Sequence, residues 1–441
     1  MVNFEFFKLN ELAEVIVSGV DKKSKPGQKE VRLCNFTDVY YNWAITSSLF
    51  DSFMVATAKD NEIETLSIKK GYVALTKDSE TRYDIGISTY IADEFDDVVL
   101  GYHCALIKPN EKVLCGKYLN CLLQTQYARS YFANNAKGSG QRYSLTQDCL
   151  NDIKIPLPMK NGRVDMDYQE KVGNLFSSID RKIEINQQIN RNLEELARLI
   201  YDYWFVQFDF PDKNGKPYKS SGGKMVWNET LKREIPEGWV ASNLLRENVY
   251  NSDYTANGSF KSLADNVKYN DGEPYAILIR IVDFNDDFSD KNKFVYVNKH
   301  AYDFLKSSSL HGGEIIICNV GNAGATYRCP NLGIPMTLGP NGVMINDSFL
   351  NNYLFMYFTS EIGQQQLKSI SSGSIQLKFN KTGLRNLPIL MPPKALIRVF
   401  NEKYGLICQK MDSLWHEGRQ MKQLRDFLLP LLMNGQVTLR S

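Results

Sequence analysis

The sequence predicts an α+β protein in which two similar α/β domains are separated by two long antiparallel helices that form an intramolecular coiled coil. Three observations predict this architecture: one block of turn, strand and helix patterns occurs twice, a long helical pattern follows each copy, and the chain is long enough for several cores. It has 441 residues, of which 43% are hydrophobic. At about 100–200 residues per domain, about two to four globular units are expected. A disordered or collagen-like chain is excluded.

The repeat is clearest at two small polar turns. Gly138-Ser139-Gly140-Gln141 precedes RYSLTQDCLNDIKIPLP, and Gly373-Ser374-Ile375-Gln376 precedes LKFNKTGLRNLPILMPP. Both blocks then show a strand pattern, a short amphipathic piece that ends at Leu150 or Leu384, and a proline-bounded exit. Earlier segments recur in the same order: Tyr118-Leu119 with Tyr353-Leu354, the segment from Gly71 with that from Gly313, and Asn35 to Asp38 with Arg280 to Asp283. Two divergent copies of one α/β domain are the simplest explanation.

A long helical pattern follows each copy. Its apolar positions alternate in steps of three and four residues, which keeps one stripe facing a partner helix along a supercoil. Each pattern covers about 35–40 residues, or roughly 55 Å of helix. The residues predicted to form the helix-pairing seam are Ile179, Ile183, Asn186, Asn190, Leu193, Ile200, Ile407, Met411, Leu414, Met421 and Leu428. The alternative, two surface helices packed on separate cores, is disfavoured because both patterns have the same length and period.

Two asparagines, Asn186 and Asn190, interrupt the apolar seam of the first helix. Buried polar residues lower the stability of a coiled coil but select its register and partner number. We interpret them as residues that fix two helices of one chain side by side. The alternative is that both lie at a hydrated edge of the stripe.

The domain organisation follows from these patterns and from a connector. The segment VQFDFPDKNGKPYKSSGGKMVWNETLKREIPEGW has the proline, glycine, lysine and serine content of a linker. We predict a first domain over 1–158, a central long helix over 159–210, a linker over 211–236, a second domain over 237–393 and a distal long helix over 394–441.

Composition narrows the possible functions. The net charge is only +2, although DNA binding depends on where charge lies rather than on its sum. The eight cysteines are scattered without a Cys-x-x-Cys pair, so neither a metal site nor a disulfide framework is expected. No apolar run approaches the ~18 residues of a membrane helix. The N-terminal MVNFEFFKLNELAEV lacks the features of a secretory signal, and we expect a cytoplasmic protein.

Common catalytic motifs are missing from the sequence. The Pro392-Pro393 pair is not part of the Asn/Asp-Pro-Pro-aromatic loop used in adenine methylation. Gly321-Asn322-Ala323-Gly324 lacks the rest of a dinucleotide-binding fingerprint, and Gly222-Gly223-Lys224 is followed by methionine rather than serine or threonine. No Gly-x-Ser-x-Gly elbow occurs. We therefore expect no catalytic residue and no cofactor bound by this chain.

Two similar domains, two long helices and no catalytic motif together resemble one family, the specificity (S) subunits of type I restriction–modification systems. The most specific segments are Asn192-Leu-Glu-Glu-Leu-Ala, the run YWFVQFDFP over 203–211, and Ile235-Pro-Glu-Gly-Trp239. The segments IDRKIEINQQINRNLEEL and MKQLRDFLLPLLMNGQV resemble the central and distal helical regions of that family. One departure is the very short segment before the first domain.

The resemblance implies a DNA-binding subunit that is not catalytic on its own. Each domain would be a target-recognition domain that reads one half of an asymmetric, bipartite target in double-stranded DNA. The helices would set the spacing and dock two methyltransferase (M) subunits, which carry S-adenosylmethionine and methylate adenine at N6. Restriction (R) subunits would add translocation and cleavage with ATP and Mg. The chain would thus belong to a DNA adenine-N6 methyltransferase and type I site-specific endonuclease complex.

Residues that contact DNA are expected at the polar turns that recur in both copies. Arg, Lys, Asn and Gln read base edges, while Lys and small hydroxyl groups hold phosphates. The candidates are Lys77, Arg82, Lys137, Ser139, Gln141, Arg142 and Tyr143 in the first copy and Arg280, Asn319, Asn322, Arg328, Ser374, Gln376 and Lys378 in the second. For each of them, a solvated loop residue is the alternative.

Three other functions are compatible with the same architecture. The first is a specificity subunit of another restriction class, with methylation and cleavage fused in one partner chain. The second is a non-DNA adaptor scaffold, whose domains and helices bind other proteins. The third is an autonomous methyltransferase or nuclease, which predicts cofactor turnover by the isolated chain. A salt-dependent preference for one duplex sequence would exclude the adaptor.

Overall fold

A computed structural model describes residues 2–288, 293–373 and 377–439, apart from the side chain of Ser139. The chain divides into two compact units. The first unit contains Met1–Gln187 and Glu417–Ser441, and the second contains Gln188–His416. The division falls inside both long helices, so each unit holds one part of each helix.

The first unit is a mixed α/β domain followed by the start of the first long helix. Its strands are β1 (Asn3–Lys8), β2 (Ala13–Val17), β3 (Lys29–Cys34), β4 (Ala44–Ile45), β5 (Met54–Ala58), β6 (Val73–Thr76), β7 (Asp78–Ser79), β8 (Ser88–Ile91), β9 (Val98–Leu100), β10 (Cys104–Pro109), β11 (Lys137–Ser139), β12 (Arg142–Ser144), β13 (Lys154–Lys160) and β14 (Arg163–Val164). Its helices are α1 (Leu9–Leu12), α2 (Phe36–Tyr41), α3 (Asp60–Leu66), α4 (Gly116–Leu123), α5 (Gln126–Asn135), α6 (Gln147–Asp152) and the first part of α7 (Met166–Tyr201).

The second unit repeats this plan with shorter strands. A π-helical turn over Asp202–Val206 follows α7. The strands are β15 (Met225–Asn228), β16 (Arg233–Pro236), β17 (Val240–Ser242), β18 (Tyr250–Asp253), β19 (Ala276–Ile279), β20 (Val295–Val297), β21 (Ser309–Leu310), β22 (Ile315–Cys318), β23 (Val320–Gly321), β24 (Thr326–Arg328), β25 (Met336–Leu338), β26 (Gly342–Asn346), β27 (Leu377–Lys378) and β28 (Ile389–Met391). The helices are the second part of α7, α8 (Phe260–Asn266), α9 (Ile281–Asn285), α10 (Lys299–Phe304), α11 (Asn351–Thr359), α12 (Glu361–Ser369), α13 (Lys381–Asn386) and the first part of α14 (Lys394–Met433).

Strand order is the same in both units, which is the strongest sign of duplication. The order β2-β10-β6-β8 in the first unit corresponds to β18-β26-β22-β24 in the second, and β5-β3-β9 corresponds to β20-β19-β25. The pair β12-β7 likewise corresponds to β27-β23, and β1-β13 to β17-β28. The central strands β6 and β22 are fully buried, as expected from their continuous apolar sequences. The predicted pair of similar α/β domains is confirmed.

Local contacts fix the register between the two copies. The backbone N–H of Asn35 donates to Asp38 over 2.7 Å, and the backbone N–H of Arg280 donates to Asp283 over the same distance. Tyr143 of β12 and Leu377 of β27 occupy the same place, opposite Ser79 and Gly321 respectively. This register differs by one residue from the alignment of the two Gly-Ser-x-Gln turns, because strand pairing and not turn composition determines it. Tyr143 therefore corresponds to Leu377 rather than to Lys378.

The two long helices run antiparallel in each unit. In the first unit, the hydroxyl of Tyr168 donates to the carbonyl of Leu432 over 2.7 Å, and Nδ2 of Asn186 donates to Glu417 over 2.7 Å. In the second unit, Nδ2 of Asn190 donates to the carbonyl of Met411 over 3.3 Å. Partner numbers on α14 fall as numbers on α7 rise, so the predicted α+β class with paired antiparallel helices is confirmed.

The seam residues differ in their exposure to solvent. Ile179, Ile183, Asn186 and Leu414 are buried. The others are partly buried: Asn190, Leu193, Ile200, Ile407, Met411, Met421 and Leu428. Asn186 therefore lies inside the helix pair of the first unit and not at a hydrated edge.

We predict that Asn186→Ala lowers the free energy of unfolding of the first unit by about 1 kcal/mol, because the buried Asn186 side chain loses its hydrogen bond to the partly exposed carboxylate of Glu417. Lys182 remains 3.3 Å from Glu417, which limits the loss. Gln187→Ala, at the next and exposed position, serves as the control. Urea unfolding followed by circular dichroism checks the difference; equal midpoints for both variants would show that the contact is energetically neutral.

The segment between α7 and β17, which the sequence predicts as a linker over 211–236, contains secondary structure. Strands β15 and β16 pair over four residues each. Ile235 and Trp239 are buried in the core of the second unit, and the ring of Phe210 stacks on Tyr218 with centroids 4.7 Å apart. The segment thus packs on its domain.

Among the helices of residues 2–288, 293–373 and 377–439, none is both long and apolar enough to cross a membrane.

Candidate nucleic-acid interface

A three-stranded sheet in the order β11-β12-β7 carries most of the first set of DNA-contact candidates. Lys137 pairs with Ser144 across β11 and β12, and Ser144 pairs with Asp78 of β7. Gln141 lies in the exposed turn between β11 and β12, where Gly140 takes a φ of +59°. The sheet is short because helix α6 begins almost immediately after β12. It therefore presents a polar hairpin at the surface of the unit.

Four side chains form a charged cluster at the base of this hairpin: Lys77, Asp78, His103 and Arg142. Nζ of Lys77 donates to Oδ2 of Asp78 over 2.8 Å, and Nδ1 of His103 lies 2.6 Å from the same oxygen. Nη2 of Arg142 lies 2.7 Å from Nδ1 and 3.1 Å from Nε2 of His103. The guanidinium is also 3.8 Å from Asp78. One carboxylate thus connects three basic side chains.

Burial increases from the tip of the cluster to its base. The side chain of Arg142 is 58% exposed, whereas those of Lys77 and Asp78 are 11% and 7% exposed. Burial alone raises the pKa of Asp78, but hydrogen bonds from Lys77, Ser144 and His103 outweigh it and hold the pKa below its usual range. The carboxylate therefore stays ionised and anchors the cations above it.

Aromatic rings contact two of the cationic candidates, Lys77 in the cluster and Arg82 beside the hairpin. Nζ of Lys77 lies 5.3 Å from the centre of the Tyr102 ring, and the guanidinium of Arg82 lies 5.2 Å from the centre of the Tyr143 ring. Such cation–π contacts restrict long side chains without neutralising their charge. The first unit thus brings together Lys77, Arg82, Arg142 and Tyr143, with Lys137 and Gln141 on the same hairpin.

The equivalent strands of the second unit, β23 and β27, carry different side chains. Val320 pairs with Lys378, so valine takes the place of Asp78 and lysine that of Ser144. Asn319 corresponds to Lys77: its N–H bonds to the carbonyl of Asn341 over 3.1 Å, and its Oδ1 is buried without a hydrogen-bond partner among the described residues. Ser374 and Gln376 lie outside the described residues.

The other candidates of the second unit do not join this hairpin. Arg280 caps α9 and forms an ion pair with Asp283 over 2.6 Å. Asn322 is exposed in the turn between β23 and β24. Arg328 pairs with Ile315, at the opposite end of β22 from Asn319, and its Nη1 donates to the sulfur of Cys408 in α14. Arg328 thus faces a long helix rather than the hairpin.

Sequence reasoning missed Asp78 and His103. They are 25 positions apart, and the fold joins them by placing β7 beside the turn that precedes β10. The repeated sequence could have identified this turn, because a glycine begins it in both copies. Gly101-Tyr102-His103 and Gly339-Pro340-Asn341 both stand directly before a core strand. His103 and Asn341 take left-handed backbone conformations, with φ of +73° and +69°. A non-glycine residue at positive φ is uncommon and marks a functional or structural constraint.

The side chains on the hairpin of the first unit are suited to binding nucleic acid. Exposed guanidinium, ammonium and amide groups on a hairpin can contact phosphates and base edges. The residues that the structure describes include no group of three or more His, Cys, Asp or Glu side chains arranged to hold a metal ion.

A second surface lies on α7 and on the π-helical turn that follows it, within the second unit. Ile189, Leu196, Leu199 and Tyr203 follow one another at intervals of seven, three and four residues, which places them on one helix face. They are 36%, 46%, 57% and 40% exposed, whereas the neighbouring Ala197, Tyr201 and Trp204 are buried. The helix therefore has one apolar face in the core and a second apolar face in solvent.

Comparison with known proteins connects these features. Residues 1–195 match the model of a family described as the type I restriction modification DNA specificity domain. Over 418 residues the chain is 24% identical to the type I restriction enzyme HindI specificity subunit of Haemophilus influenzae, covering 84% of this chain and 87% of that protein. Residues 1–195 thus match the expected family, and over most of its length the chain is similar to type I restriction–modification specificity subunits.

This chain has further relatives of the same kind. It is 22% identical over 370 residues to the type I restriction enzyme MjaIX specificity subunit of Methanocaldococcus jannaschii, covering 83% of this chain and 78% of that protein. A crystal structure of a type I restriction–modification S subunit from M. genitalium is similar with a TM-score of 0.52 at 14% identity, over 98% of this chain and 96% of that one. At this identity the likeness concerns the fold. The family expected from the sequence is confirmed, and a subunit of another restriction class is not favoured.

Proposed function

We propose that this specificity subunit binds double-stranded DNA and that each of its two domains reads one half of an asymmetric, bipartite target. The interface consists of the sheet β11-β12-β7 in the first domain and the strand pair β23–β27 in the second. The domains are the segments 1–158 and 237–393, joined through the long helices and the segment 211–236.

One observation carries this proposal: two domains of the same topology present different chemistry at the same hairpin. The first hairpin holds Lys77, His103 and Arg142 around a carboxylate, and the second holds Asn319, Asn341 and Lys378. Base pairs are distinguished in the major groove by their donor and acceptor patterns. Different side chains at equivalent positions therefore predict different half-sites, unlike the palindromic site of a symmetric dimer.

The long helices support the proposed spacing and assembly. Two modules that read one face of B-DNA act about 34 Å apart or at a multiple of that distance, and helices of 36 and 40 residues are long enough to set it. The exposed apolar face of α7 and the turn after it is formed by Ile189, Leu196, Leu199 and Tyr203. This face could pack against a helix of a partner protein. We assign it to a methyltransferase (M) subunit, because a specificity subunit needs such a partner and an apolar face of this kind is typical of protein interfaces.

The chemistry would then belong to the partners. S-adenosylmethionine would bind in two M subunits that methylate adenine at N6, and ATP and Mg in restriction (R) subunits. This chain would supply sequence recognition and remain non-catalytic in the DNA adenine-N6 methyltransferase and site-specific endonuclease complex. It would act in the cytoplasm, where bacterial and archaeal DNA lies.

Exchange of one domain tests the modular reading of DNA. Residues 240–391 are replaced by the corresponding segment of the HindI specificity subunit. The chimera is incubated with a pool of randomised DNA duplexes, and the duplexes that it binds are sequenced. We expect one half of the selected target to change completely while the other half stays the same. The reciprocal control exchanges residues 13–160 and should change the other half. A change in both halves from a single exchange would contradict the proposal.

A further inference from the structure

We infer that Asp78 and His103 are positioning residues that hold Arg142 as the guanine-reading group of the first half-site. This inference rests on the proposed function, since it concerns the hairpin that would contact DNA. The side chain of Asp78 is buried and that of His103 is partly buried, and we assign neither of them a contact with a base. Their role is to fix the direction of the exposed guanidinium.

The geometry forms a relay of hydrogen bonds from the buried base of the cluster to its tip. Oδ2 of Asp78 is held by Nζ of Lys77 over 2.8 Å and by Nδ1 of His103 over 2.6 Å. Nη2 of Arg142 lies beside the same edge of the imidazole, 2.7 Å from Nδ1 and 3.1 Å from Nε2. When Nδ1 donates to Asp78, Nε2 is the ring nitrogen that can accept from Nη2. The imidazole is in turn packed on Tyr102, with ring centroids 3.9 Å apart. Each member of the relay is thus restrained by the one below it.

This restraint matters more for a base contact than for a phosphate contact. A free arginine side chain loses rotamer entropy when it binds, and pre-organisation removes part of that cost from binding. A phosphate tolerates many approach directions, whereas a base edge requires a fixed plane. The arginine fork matches O6 and N7 of guanine and forms the commonest specific contact in the major groove. The guanidinium of Arg142 is exposed and is held by buried and partly buried groups, so it meets the requirement for a fixed plane at a base edge.

The second unit shows that the backbone turn at His103 does not need the Asp78–His103 pair. Asn341 stands in the place of His103 with nearly the same backbone, φ +69° against +73°, and Val320 stands in the place of Asp78. The turn therefore forms without an imidazole and without a carboxylate. The pair in the first unit is available for another role, and Arg142 is the exposed group that it contacts.

The copy supplies a conservative variant for the test. His103→Asn introduces the residue that the second unit tolerates at this position, so the left-handed backbone is kept while the contact with Arg142 is lost. Wild type, His103→Asn and Arg142→Ala are each incubated with a pool of randomised duplexes, and the bound sequences are read. We expect Arg142→Ala to lose the preference for guanine at one position of the first half-site by about tenfold or more. His103→Asn should relax the same position, and neither variant should alter the second half-site.

Three outcomes would overturn the inference. If both variants bind every sequence more weakly by the same factor, Arg142 contacts a phosphate and reads no base. If Arg142→Ala relaxes one position but His103→Asn does not, the imidazole positions nothing. If the relaxed position does not prefer guanine in the wild type, the assigned base is wrong. A wild type that selects no sequence at all would instead refute the proposed function, which separates the two failures.

Discussion

Phe205→Ala is expected to lower the free energy of unfolding of the second unit by about 3–5 kcal/mol, the range for a large aromatic side chain removed from a core. Phe205 lies in the π-helical turn after α7 and is 2% exposed. Its ring centroid is 5.0 Å from those of Tyr353 and Phe400, 5.2 Å from that of Tyr201 and 6.0 Å from that of Trp239. It thus joins four parts of the unit: the end of α7, helix α11, helix α14 and the start of the second domain.

Tyr203→Ala provides the matched control. Tyr203 belongs to the same turn, and its substitution removes a ring of similar size, but the Tyr203 side chain is 40% exposed. Surface substitutions of this kind change stability by about 0.5 kcal/mol. Hydrogen exchange read by mass spectrometry distinguishes the units, and protection should fall in the segments 235–245 and 350–405 of Phe205→Ala. Equal loss of protection in both variants would mean that the turn frays as a whole and that Phe205 does not anchor it.

The sequence predicts the architecture of this subunit well because the signals for it are local. Helix α7 follows from an unbroken three-and-four spacing between Val172 and Trp204, and helix α14 from the same spacing between Phe400 and Leu432. The duplication is readable because turns and caps repeat in order: Thr146 and Asn380 each accept a hydrogen bond at the start of equivalent helices. Neither inference requires knowledge of long-range contacts.

The candidate site is less predictable because distant segments build it. Lys77 and Arg142 are 65 positions apart, and only the pairing of β12 with β7 places them together. Arg328 illustrates the opposite case: its sequence neighbourhood resembles a polar strand end, yet its guanidinium is bound to Cys408 of α14. The sequence around a basic residue therefore does not show whether the residue contacts DNA. Its position along the strand and the partners of its side chain must be known as well.

Asp78→Asn is expected to lower the free energy of unfolding of the first unit by about 3 kcal/mol, because removal of one member of a buried ion pair leaves the other charge without compensation. Lys77 would be that charge: its side chain is 11% exposed and lies 2.8 Å from the carboxylate. The amide of asparagine retains the shape of aspartate and can accept hydrogen bonds, but it carries no charge. The loss therefore reports on electrostatics and not on packing.

Asp152→Asn is the matched control for this substitution. Asp152 forms an ion pair with Lys8 at 2.7 Å, nearly the same distance, but both side chains are about half exposed, at 51% and 49%. Exposed pairs contribute about 0–1 kcal/mol, so Asp152→Asn should be close to wild type. Thermal unfolding at pH 7 compares the three proteins. Similar melting temperatures for Asp78→Asn and Asp152→Asn would show that water screens the Asp78 cluster despite its burial.

The dependence of this effect on pH has a definite sign. Because the pKa of Asp78 is lower in the folded protein than in the unfolded chain, the unfolded chain binds a proton more readily. The stabilisation is fully present above the unfolded pKa of about 3.9; it decreases below that pH and is lost as the pH falls through the folded pKa. A protonated Asp78 resembles asparagine, so wild type should approach Asp78→Asn as the pH is lowered from 6 to 3. Urea unfolding at intervals of half a pH unit measures this convergence. A stability difference that stayed constant down to pH 3 would mean that the charge of Asp78 is not what holds Lys77 and His103 in place.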